Sequence, residues 1–403
     1  MTDGGRPLRV ALIAGEPSGD VLGASLMRGL RRLTGGHVEF TGIGGAQMTE
    51  QGLRSLFPIA DLAVMGLVEV LPRAGMLLRR IRETARFLLD DPPDIVVTID
   101  SPGFTRRLAQ RLAVRSFPLV HYVAPTVWAW RPGRARRLAR LYDHLLVILP
   151  FEPPYFEAVG LPTTFVGHPA VEAMAAARQS ELSAEADGRG FRTRHNIADN
   201  RMILALMPGS RKGEVSRLLP VFAEVLQRLE RQGHELHLAI PTVETVASFV
   251  RQALPELPYP ATVVEASGER YAAMLAADVA LAASGTATLE LGLAGTPTVL
   301  AYKVNPLTAA IVRRLVRIPH AGLVNILLGR EVMAEYLQQR CTADAITPAL
   351  ARLLASPSER AMQISACAQV AAQLGAAEDP LPGVRAAQKI LELAGKHLLP
   401  GSA

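Results

Sequence analysis

Short, uniformly apolar runs alternate with helical patterns along most of this chain. Parallel strands that are covered by helices on both faces have this composition, so the alternation predicts an α/β fold. The runs assigned to strands are Val10–Ala14, Asp94–Ile99, Pro118–Val123, Leu145–Leu149, Thr164–Val166, Met202–Met207, Glu235–Ile240, Thr262–Val264, Val279–Ala282 and Thr298–Tyr302. Since a chain of 403 residues favours two domains, we predict two doubly wound, Rossmann-like parallel-sheet domains.

The alternation lapses between Arg178 and Asn200, where the sequence is polar and contains glycine. We therefore predict a first domain at residues 1–177, a connection at 178–200 with a short helix near His195, and a second domain at 201–350. Helical patterns continue after Thr347, and we expect residues 351–403 to form helices that pack back on the first domain.

Cysteine content and hydropathy narrow the class of protein. Cys341 and Cys367 are the only cysteines, which excludes a disulfide framework and suits a reducing cytoplasm. Apolar runs such as Leu145–Leu149 are too short to cross a bilayer, and no basic-then-apolar signal segment precedes the first strand. No Cys/His cluster has the spacing of zinc ligands, so we expect no structural metal.

The positive charge is carried mainly by arginine. The formal net charge is +6, and Lys212, Lys303, Lys389 and Lys396 are the only lysines among the 43 Lys and Arg residues. A GC-rich coding sequence accounts for such a bias, whereas an anionic partner (phosphate, a membrane surface or nucleic acid) is the functional interpretation. Charge alone does not choose between these partners, so the positions of the arginines matter more.

A strand, a glycine turn and a helix start occur together once in each half of the chain. The first series runs from Val10–Ala14 into Gly15–Asp20, and the second runs from Val279–Ala283 into Ser284–Glu290. A helix start leaves backbone N–H groups unpaired and carries partial positive charge, so anions bind there. Because ligands of open α/β sheets bind at the carboxyl ends of strands, we expect two ligands to face each other across a cleft between the domains.

The second half carries a further turn of this kind. Pro208–Lys212 closes a strand, and Arg211 within it offers a planar donor fork for phosphate oxygens. Together with the Ser284 turn it favours a nucleoside diphosphate. Glu290 is placed to accept hydrogen bonds from a ribose, although an ordinary helix-surface glutamate is the alternative. The candidate diphosphate-binding residues are Gly209, Ser210, Arg211, Ser284, Gly285 and Thr286.

Asp100 follows a predicted strand and directly precedes the turn Ser101–Gly103. A carboxylate at the carboxyl end of a strand lies where α/β enzymes place an acid or a base. The same position also suits a residue that caps the next helix, and the sequence leaves both interpretations open. Asp94, at the other end of the strand, is expected to be structural.

The loop from Glu16 to Asp20 offers two carboxylates and a hydroxyl at a helix start. Ser18 or Asp20 suits a plain N-cap, whereas Glu16 lies outside the capping position and favours a ligand contact. The loop lacks the Gly-Lys-Ser/Thr sequence that a P-loop requires, so the sequence excludes a P-loop at this position.

Two stretches mix apolar side chains with clustered arginine. The first is Val64–Leu71 followed by Met76–Arg82, and the second runs from Trp128 to Arg140 and includes Trp130. A buried helix with a basic face is one interpretation, and an interfacial element for anionic lipid is another. Nucleic-acid binding is the third, but no known nucleic-acid module surrounds these residues, and we expect no nucleic-acid partner.

A collinear series of segments carries a family resemblance over roughly Arg9 to Gln338. The segments are Gly15–Asp20, Val64–Leu71, Ile99–Phe104, Val127–Arg131, Leu149–Glu152, Gly167–Pro169, Pro208–Arg211, Ser284–Glu290 and Asn325–Leu327. At these residues the chain closely resembles lipid-A-disaccharide synthases, which are inverting glycosyltransferases of the two-Rossmann-domain (GT-B) type. It departs from the family pattern at Pro17, Val324 and Met333–Ala334.

The resemblance implies transfer of 2,3-diacylglucosamine from its UDP derivative to the 6-hydroxyl of 2,3-diacylglucosamine 1-phosphate. Inversion would give a β-1,6-linked disaccharide 1-phosphate and UDP. Asp100 would take the proton from the acceptor hydroxyl, while Arg211 and the Ser284 turn would stabilise the departing diphosphate without a metal or other cofactor. Glu290 would hold the ribose, and Asn325 would help at the donor site.

The resemblance also implies where the acylated substrates bind. The acceptor side would be lined by Glu16, Ser18, Asp20, Met65 and Glu69, and the acyl chains or membrane would contact Met76, Leu77, Leu78, Arg79 and Arg80. The protein would be cytoplasmic and bound peripherally to the anionic inner face of the inner membrane of a Gram-negative-type bacterium, as a homodimer. The alternatives are another GT-B enzyme acting on a UDP-sugar (a lipid-linked N-acetylglucosaminyltransferase or an epimerase) and a non-catalytic nucleotide-sugar-binding protein.

Overall fold

The chain folds into two compact units. The computed structural model describes residues 6–62, 67–130, 133–179, 189–265, 267–305, 318–376 and 379–395, with the side chains of 67–74, 129–130 and 267 outside that description. Unit 1 comprises the described residues up to Pro169 together with those from Leu374 onward, and unit 2 comprises the described residues of Ala170–Gln373.

The elements alternate between strand and helix in both units. The strands are β1 Leu8–Ala14, β2 Val38–Ile43, β3 Arg54–Ser55, β4 Ile95–Ile99, β5 Leu119–Tyr122, β6 His144–Val147, β7 Thr163–Phe165, β8 Met202–Met207, β9 Leu236–Pro241, β10 Ala261–Val264, β11 Val279–Ala283, β12 Thr298–Tyr302 and β13 Glu335–Leu337. The helices are α1 Pro17–Leu33, α2 Ala46–Glu50, α3 Leu67–Asp90, α4 Pro102–Arg111, α5 Val127–Trp130, α6 Gly133–Ala139, α7 Pro153–Glu157, α8 Pro169–Gln179, α9 Arg189–Arg194, α10 Lys212–Arg231, α11 Glu244–Ala253, α12 Ser267–Ala276, α13 Thr286–Ala294, α14 Leu323–Leu328, α15 Ala343–Ala355, α16 Pro357–Gln373 and α17 Pro382–Leu393.

Each unit is built on one parallel sheet. Among the described residues, the strand order is β3-β2-β1-β4-β5-β6-β7 in unit 1 and β10-β9-β8-β11-β12-β13 in unit 2. Every pairing is parallel, with Leu12 opposite both Gly42 and Val97 in unit 1 and Leu204 opposite both Leu238 and Val279 in unit 2. The strand order reverses at β1 and at β8, so each sheet has a switch point where its first strand lies between two others.

A strand occurs at every run assigned to one from the sequence, with bounds that differ by at most a few residues. β2, β3 and β13 were missed. β2 carries exposed Glu39 and half-buried Thr41 between buried residues, and therefore lacks the uniformly apolar composition of the other strands. β3 and β13 are edge strands of two and three residues, too short to form a recognisable run.

The return of the chain to unit 1 begins later than the predicted residue 351. α16 belongs to unit 2, because Ala366, Cys367 and Val370 are buried there and the Gln363 side chain accepts a hydrogen bond from the backbone N–H of Thr298. Of the described helices that follow residue 351, α17 is the one that packs on α1, with Ala386, Ala387, Ile390 and Leu391 buried in the core of unit 1. α9 lies in the predicted connection, just before His195.

Hydrophobic burial is what holds each sheet. In unit 2, one face of α10 buries Val215, Leu218, Phe222, Leu226 and Leu229 against the strands, as their helical spacing predicts. No helix within the described ranges combines the length and the apolar character needed to span a bilayer. The polar loops at the carboxyl ends of the strands are therefore held by rigid, apolar layers, which is what positions a site.

Candidate functional site

A cavity of about 260 Å³ lies at the carboxyl ends of β8, β9 and β11 in unit 2. These strands flank the switch point of the sheet, where open α/β folds bind their ligands. The lining residues are Met207, Gly209, Ser210, Glu214, Pro241, Thr242, Val243, Arg270, Ala283, Ser284, Gly285, Thr286, Ala287 and Glu290. Both anion-seeking turns predicted from the sequence therefore contribute to one cavity, which we call the donor cavity.

The first of these turns is closed by a carboxylate that sequence analysis missed. Glu214 of α10 accepts hydrogen bonds from the backbone N–H of Ser210 (3.2 Å) and from Arg211 Nη1 (3.3 Å). Gly209 has φ +121°, and a Cβ there would lie 2.7 Å from Glu214 Cβ, so this turn requires glycine. The available signal was an acidic residue in the first turn of the helix, since Glu214 is the third residue of the helix that Arg211 precedes.

The second turn, at the start of α13, is held by a loop that follows residue 317. Ser284 Oγ donates to the carbonyl of Ala321 at 3.2 Å. Glu335 accepts from the backbone N–H groups of Ala321 (2.8 Å) and Gly322 (2.9 Å), which fixes that loop. Gly285 and Thr286 are exposed at the helix start, where a bound anion can approach their N–H groups.

Asn325, which the resemblance assigns to the donor site, is not among the residues that line the donor cavity. It is fully buried, and its Nδ2 donates to Met333 O (2.8 Å) and Glu335 Oε1 (2.7 Å). Its Oδ1 accepts from the N–H groups of Val332 and Met333. Because every polar atom of the amide is occupied, Asn325 acts as a positioning residue for the loop that contacts Ser284.

Glu290 lines the donor cavity and is paired with an arginine that sequence analysis did not single out. Arg270 Nη2 lies 2.5 and 2.6 Å from the two carboxylate oxygens, and the Tyr271 hydroxyl donates to Oε1 at 3.1 Å. Burial raises the pKa of Glu290, and the charge of Arg270 opposes that rise. Burial, followed by the nearby charge of Glu290, raises the pKa of Tyr271 to about 12.

Two buried polar atoms on residues of this cavity have no partner among the described residues. They are Thr242 Oγ1 and Arg270 Nε. Native structures pair nearly all such atoms, and an orphan at a cavity wall indicates a polar ligand or water. Thr242 directly follows β9 and Arg270 lies on α12, so the two unpaired atoms come from different elements of the same cavity and favour a ligand with several hydrogen-bonding groups.

In unit 1, Asp100 lies at the carboxyl end of β4, next to the switch strand β1. Its backbone N–H donates to Tyr122 O (2.9 Å), and Thr105 Oγ1 donates to its carbonyl (2.9 Å). The N-cap of α4 is Ser101, so Asp100 is not the capping residue. Partial burial raises the pKa of the Asp100 carboxyl, opposed by a hydrogen bond from the Ser101 backbone. A raised pKa suits a general base.

The backbone around Asp100 is strained. Asp100 and Ser101 both have φ +48°, and Val123, which follows the adjacent β5, has φ +79°. Left-handed conformations cost about 1–3 kcal/mol each in residues other than glycine and cluster at functional sites. A β-branched residue such as Val123 tolerates them worst. Three of them beside one another at the carboxyl edge of the sheet favour a functional role for this edge.

The Glu16–Asp20 loop lies against the Asp100 turn, because a Cβ on Gly15 would be only 2.4 Å from Ser101 Oγ. Glu16 is the N-cap residue of α1, contrary to the expectation that it lies outside that position, although its side chain makes no capping bond. Ser18 is exposed. These two residues remain candidates for a ligand contact.

The Asp20 carboxylate has a structural role within unit 1, and its expected place on the acceptor side stays a prediction that these contacts do not favour. Its carboxylate accepts hydrogen bonds from the N–H groups of Gly45 (2.7 Å), Gln47 (3.0 Å) and Met48 (3.0 Å). It therefore caps α2 rather than its own helix, and its side chain is buried. Asp94 is structural as predicted, since it accepts from the Arg9 N–H at 2.9 Å.

α3 carries the five residues that were predicted to contact the membrane or the acyl chains. Two of these residues, Leu77 and Arg80, instead contact other residues of unit 1. Leu77 packs against the apolar core of unit 1. Arg80 bonds Asp61 Oδ2 at 2.6 and 2.9 Å, and its guanidinium lies 4.3 Å from the centroid of the Phe57 ring. Leu78 and Arg79 are exposed and Met76 is half-buried. Met65 and the side chain of Glu69 lie outside the described residues.

A buried glutamate holds one of the two tryptophans. Trp128 Nε1 donates to Glu152 Oε1 (3.2 Å), and the N–H of Leu149 donates to Glu152 Oε2 (3.1 Å). The Trp128 ring also meets the Phe151 ring edge-on at 5.0 Å. Burial raises the pKa of Glu152 to about 7. Trp128 is therefore anchored within unit 1. The predicted lipid contact of Trp130 and Arg131 lies outside the described side chains.

No group of three or more His, Cys, Asp or Glu residues suited to a metal ion occurs in the described part of the chain. Among the residues that line the donor cavity, Arg270 carries the guanidinium and the helix starts contribute partial positive charge; the predicted Arg211 does not line the cavity but directly follows Ser210, which does. These can stabilise a diphosphate by charge and by hydrogen bonding.

Sequence comparison identifies relatives along nearly the whole chain. A family model described as lipid-A-disaccharide synthetase matches residues 10–385. A lipid-A-disaccharide synthase of Rhodospirillum centenum is 50% identical over 396 residues, which is 98% of this chain and 96% of the relative. That of Ruegeria pomeroyi is 46% identical over 397 residues, which is 96% of each chain.

Structural comparison identifies the fold. The UDP-GlcNAc 2-epimerase of Neisseria meningitidis bound to UDP-GlcNAc matches with a TM-score of 0.65 at 13% identity, over 96% of this chain and 99% of that one. Acinetobacter baumannii MurG matches with a TM-score of 0.53 at 14% identity, over 97% and 100%. These likenesses, with two parallel sheets, confirm the predicted GT-B fold class.

Proposed function

This chain belongs to the lipid-A-disaccharide synthase family, and we propose that its two units divide the family's glycosyl transfer between them. The full-length match to that family carries the proposal. Unit 2 would bind the UDP of the acylated UDP-glucosamine donor, and unit 1 would bind the acylated glucosamine 1-phosphate acceptor. The 6-hydroxyl of the acceptor would attack the anomeric carbon from the face opposite UDP.

Asp100 would act as the general base that takes the proton from the attacking hydroxyl. Its position at the end of β4, its raised pKa and the strained turn around it support this role. Arg211, Arg270 and the N–H groups of Ser284, Gly285 and Thr286 would stabilise the charge that develops on the departing diphosphate, and we expect these groups to take the place of a metal ion in this step. Glu290 would accept hydrogen bonds from the ribose.

One assay tests the transfer. The purified protein is incubated with UDP-2,3-diacylglucosamine and 2,3-diacylglucosamine 1-phosphate, with chelator present, and the products are separated by thin-layer chromatography. A disaccharide 1-phosphate formed in equal amount with UDP supports the proposal. If the product were an epimerised UDP-sugar, the protein would be an epimerase. If UDP bound but no product formed, the protein would be a non-catalytic nucleotide-sugar-binding protein.

Arg211→Ala should weaken UDP binding by roughly tenfold, because it removes a charge-assisted hydrogen bond to the diphosphate. The Arg211 side chain is 68% exposed and its pairing with Glu214 is long, so a ligand can compete for the guanidinium. Isothermal titration calorimetry with UDP measures the effect. Arg231→Ala, at the opposite end of α10, is the control for loss of one exposed charge. Unchanged affinity in Arg211→Ala would remove this residue from the role.

We also propose that the protein works in the cytoplasm as a homodimer assembled through its C-terminal part, at the inner face of the inner membrane of a Gram-negative-type bacterium. Both substrates carry acyl chains, and a net charge of +6 favours an anionic surface. The described side chains best placed for that contact are Met76, Leu78 and Arg79 on α3, since Leu77 and Arg80 have structural partners.

The double substitution Met76→Ser with Leu78→Ser should lower partitioning onto phosphatidylglycerol vesicles by at least about tenfold, since burial of even one such side chain contributes about 1.5–3 kcal/mol. Vesicle flotation measures the bound fraction. Val114→Ser is the control, because Val114 is an apolar residue of unit 1 that is 89% exposed and lies away from α3 in the sequence. Equal flotation of the double variant and the wild type would contradict the contact.

A further inference from the structure

A second cavity, of about 320 Å³, lies in unit 1 between α4 and α6 and over the end of β5. Three arginines line it: Arg106 from α4, and Arg134 and Arg137 from α6. The described residues that line it include no carboxylate. We call it the arginine pocket. Three guanidiniums that converge on one concave surface favour an anionic ligand.

The other side of the pocket is polar but uncharged at neutral pH. His121 is buried, its Nδ1 is 2.8 Å from Thr98 Oγ1, and burial lowers its pKa to about 4. The buried Tyr142 stacks on the His121 ring at 4.8 Å, and burial raises its pKa to about 12. The cationic charge of the pocket at neutral pH therefore comes from its arginines, which remain protonated because the guanidinium pKa is above 12.

The pocket adjoins the turn that carries Asp100. Pro102, Gly103 and Thr105 line it, and these residues follow Asp100 directly in the chain. Thr105 Oγ1, on the same helix as Arg106, donates to the Asp100 carbonyl at 2.9 Å. The first turn of α4 therefore connects Arg106 to the Asp100 backbone, so an anion bound by Arg106 would lie at a fixed distance from Asp100.

We propose that the arginine pocket binds the phosphate of a phosphomonoester, and that in this protein it is the 1-phosphate of the sugar acceptor. This inference rests on the proposed function, in which Asp100 serves the 6-hydroxyl of the same sugar. A monoester phosphate is a dianion near neutral pH, and arginine binds phosphate oxygens with two parallel hydrogen bonds. The phosphate would orient the sugar so that its other end meets the base.

The donor cavity and the arginine pocket would bind two different phosphate ligands, and they would do so with different chemical groups. Backbone N–H groups at helix starts line the donor cavity, together with Arg270. The arginine pocket instead presents three guanidiniums. Removing arginines from the latter is expected to affect one substrate and not the other, which gives the test its specificity.

The test compares two double variants that remove the same charge. Arg106→Ala with Arg137→Ala empties two walls of the pocket, whereas Arg107→Ala with Arg111→Ala removes two exposed arginines of α4 that do not line it. Steady-state kinetics are measured with each substrate varied in turn. We expect the pocket variant to raise the acceptor KM roughly 10- to 100-fold with the donor KM unchanged, and the control variant to change neither.

Binding is measured separately from turnover. Calorimetry with glucosamine 1-phosphate and with glucosamine should show that only the phosphate form binds, and that the pocket variant loses this binding. This readout does not require transfer, so failure of the proposed function (no disaccharide from the wild type) is distinguishable from failure of the pocket assignment (no phosphate-dependent binding). Partial recovery of the acceptor KM in Arg106→Lys with Arg137→Lys would support a charge effect rather than a structural one.

Two outcomes would overturn the inference. An unchanged acceptor KM in the pocket variant, combined with loss of flotation on phosphatidylglycerol vesicles, would assign the arginines to a phospholipid headgroup instead of the acceptor. A rise in the donor KM equal to the rise in the acceptor KM would show that the pocket does not distinguish the two substrates.

Discussion

Asp100→Asn should lower kcat by roughly 10²- to 10⁴-fold, the range that a positioned general base contributes. Asparagine has the same shape and tolerates the left-handed conformation found at φ +48°, so the strained turn should persist. The donor cavity lies in unit 2, and UDP affinity should therefore be unchanged. Single-turnover kinetics with both acylated substrates, together with UDP calorimetry, measure these two quantities.

The pH profile gives the second half of this test. A base must be deprotonated to act, and partial burial raises the pKa of Asp100. The acid limb of kcat/KM in the wild type should therefore lie above the ordinary aspartate value of about 3.9, and activity should fall as pH decreases through it. Asp100→Asn should lose that limb along with the rate.

Asp91→Asn is the matched control for the same chemical change. Asp91 lies just before β4 at the amino end of the sheet, where its exposed side chain pairs with Arg9. An exposed ion pair contributes at most about 1 kcal/mol to stability, and turnover should be unaffected. Near-normal turnover of Asp100→Asn with an unchanged pH profile would exclude Asp100 as the base.

The sheets could be predicted from the sequence because parallel strands covered on both faces are apolar throughout. β1, β4 and β11 illustrate this, since nearly all their residues are buried. The location of the donor cavity could also be predicted, because ligands bind at the carboxyl ends of strands near the switch point. This rule concerns the backbone, and it can be applied once the strands have been located in the sequence.

The partners of polar side chains could not be predicted in the same way. Asp20 and Asn325 occur in loops and helices that resemble ligand-binding motifs, yet one caps α2, 25 to 28 residues away, and the other is saturated by residues 7 to 10 positions away. The sequence shows that a carboxylate or an amide is present, but it does not show whether that group binds a ligand or the backbone. Only the tertiary arrangement, which brings distant N–H groups within 3 Å, decides between the two.

Arg270 was missed for a related reason. It is the fourth residue of α12, which follows β10, and its own sequence context does not distinguish a ligand contact from an ordinary helix-surface arginine. Its significance comes from Glu290, which is 20 positions further along the chain and 2.5 Å away. The pair forms because α12 and α13 flank the same sheet, and that proximity is a property of the fold.

Arg270→Leu should destabilise unit 2 by roughly 3 kcal/mol, because it leaves the buried Glu290 carboxylate without its ion-pair partner. The exposed fractions of the two side chains are 27% and 10%, so this value is taken from the low end of the range for buried pairs. A loss of this size corresponds to a decrease in Tm of about 6–12 °C for a unit of some 200 residues. UDP affinity should fall in the same variant, since Arg270 also lines the donor cavity.

The pH dependence of this loss has a definite sign. Removing Arg270 removes the charge that opposes the burial effect, so the pKa of Glu290 in the folded variant should rise further. A carboxyl whose folded pKa is raised above the unfolded value is destabilising at neutral pH, and the penalty disappears as pH falls toward the unfolded value of about 4.3. The difference in Tm between wild type and variant should therefore shrink as the pH is lowered.

Two further variants distinguish this electrostatic cause from a simple loss of packing. Adding Glu290→Gln to Arg270→Leu removes the unpaired charge, and it should restore part of the stability and abolish the pH dependence of the difference. Arg251→Leu breaks the more exposed ion pair with Glu265 in the same unit and should cost less than about 1 kcal/mol. If Arg270→Leu had the same small effect as Arg251→Leu at every pH, the carboxylate of Glu290 would not depend on Arg270, and its role at the ribose would have to be explained without that pair.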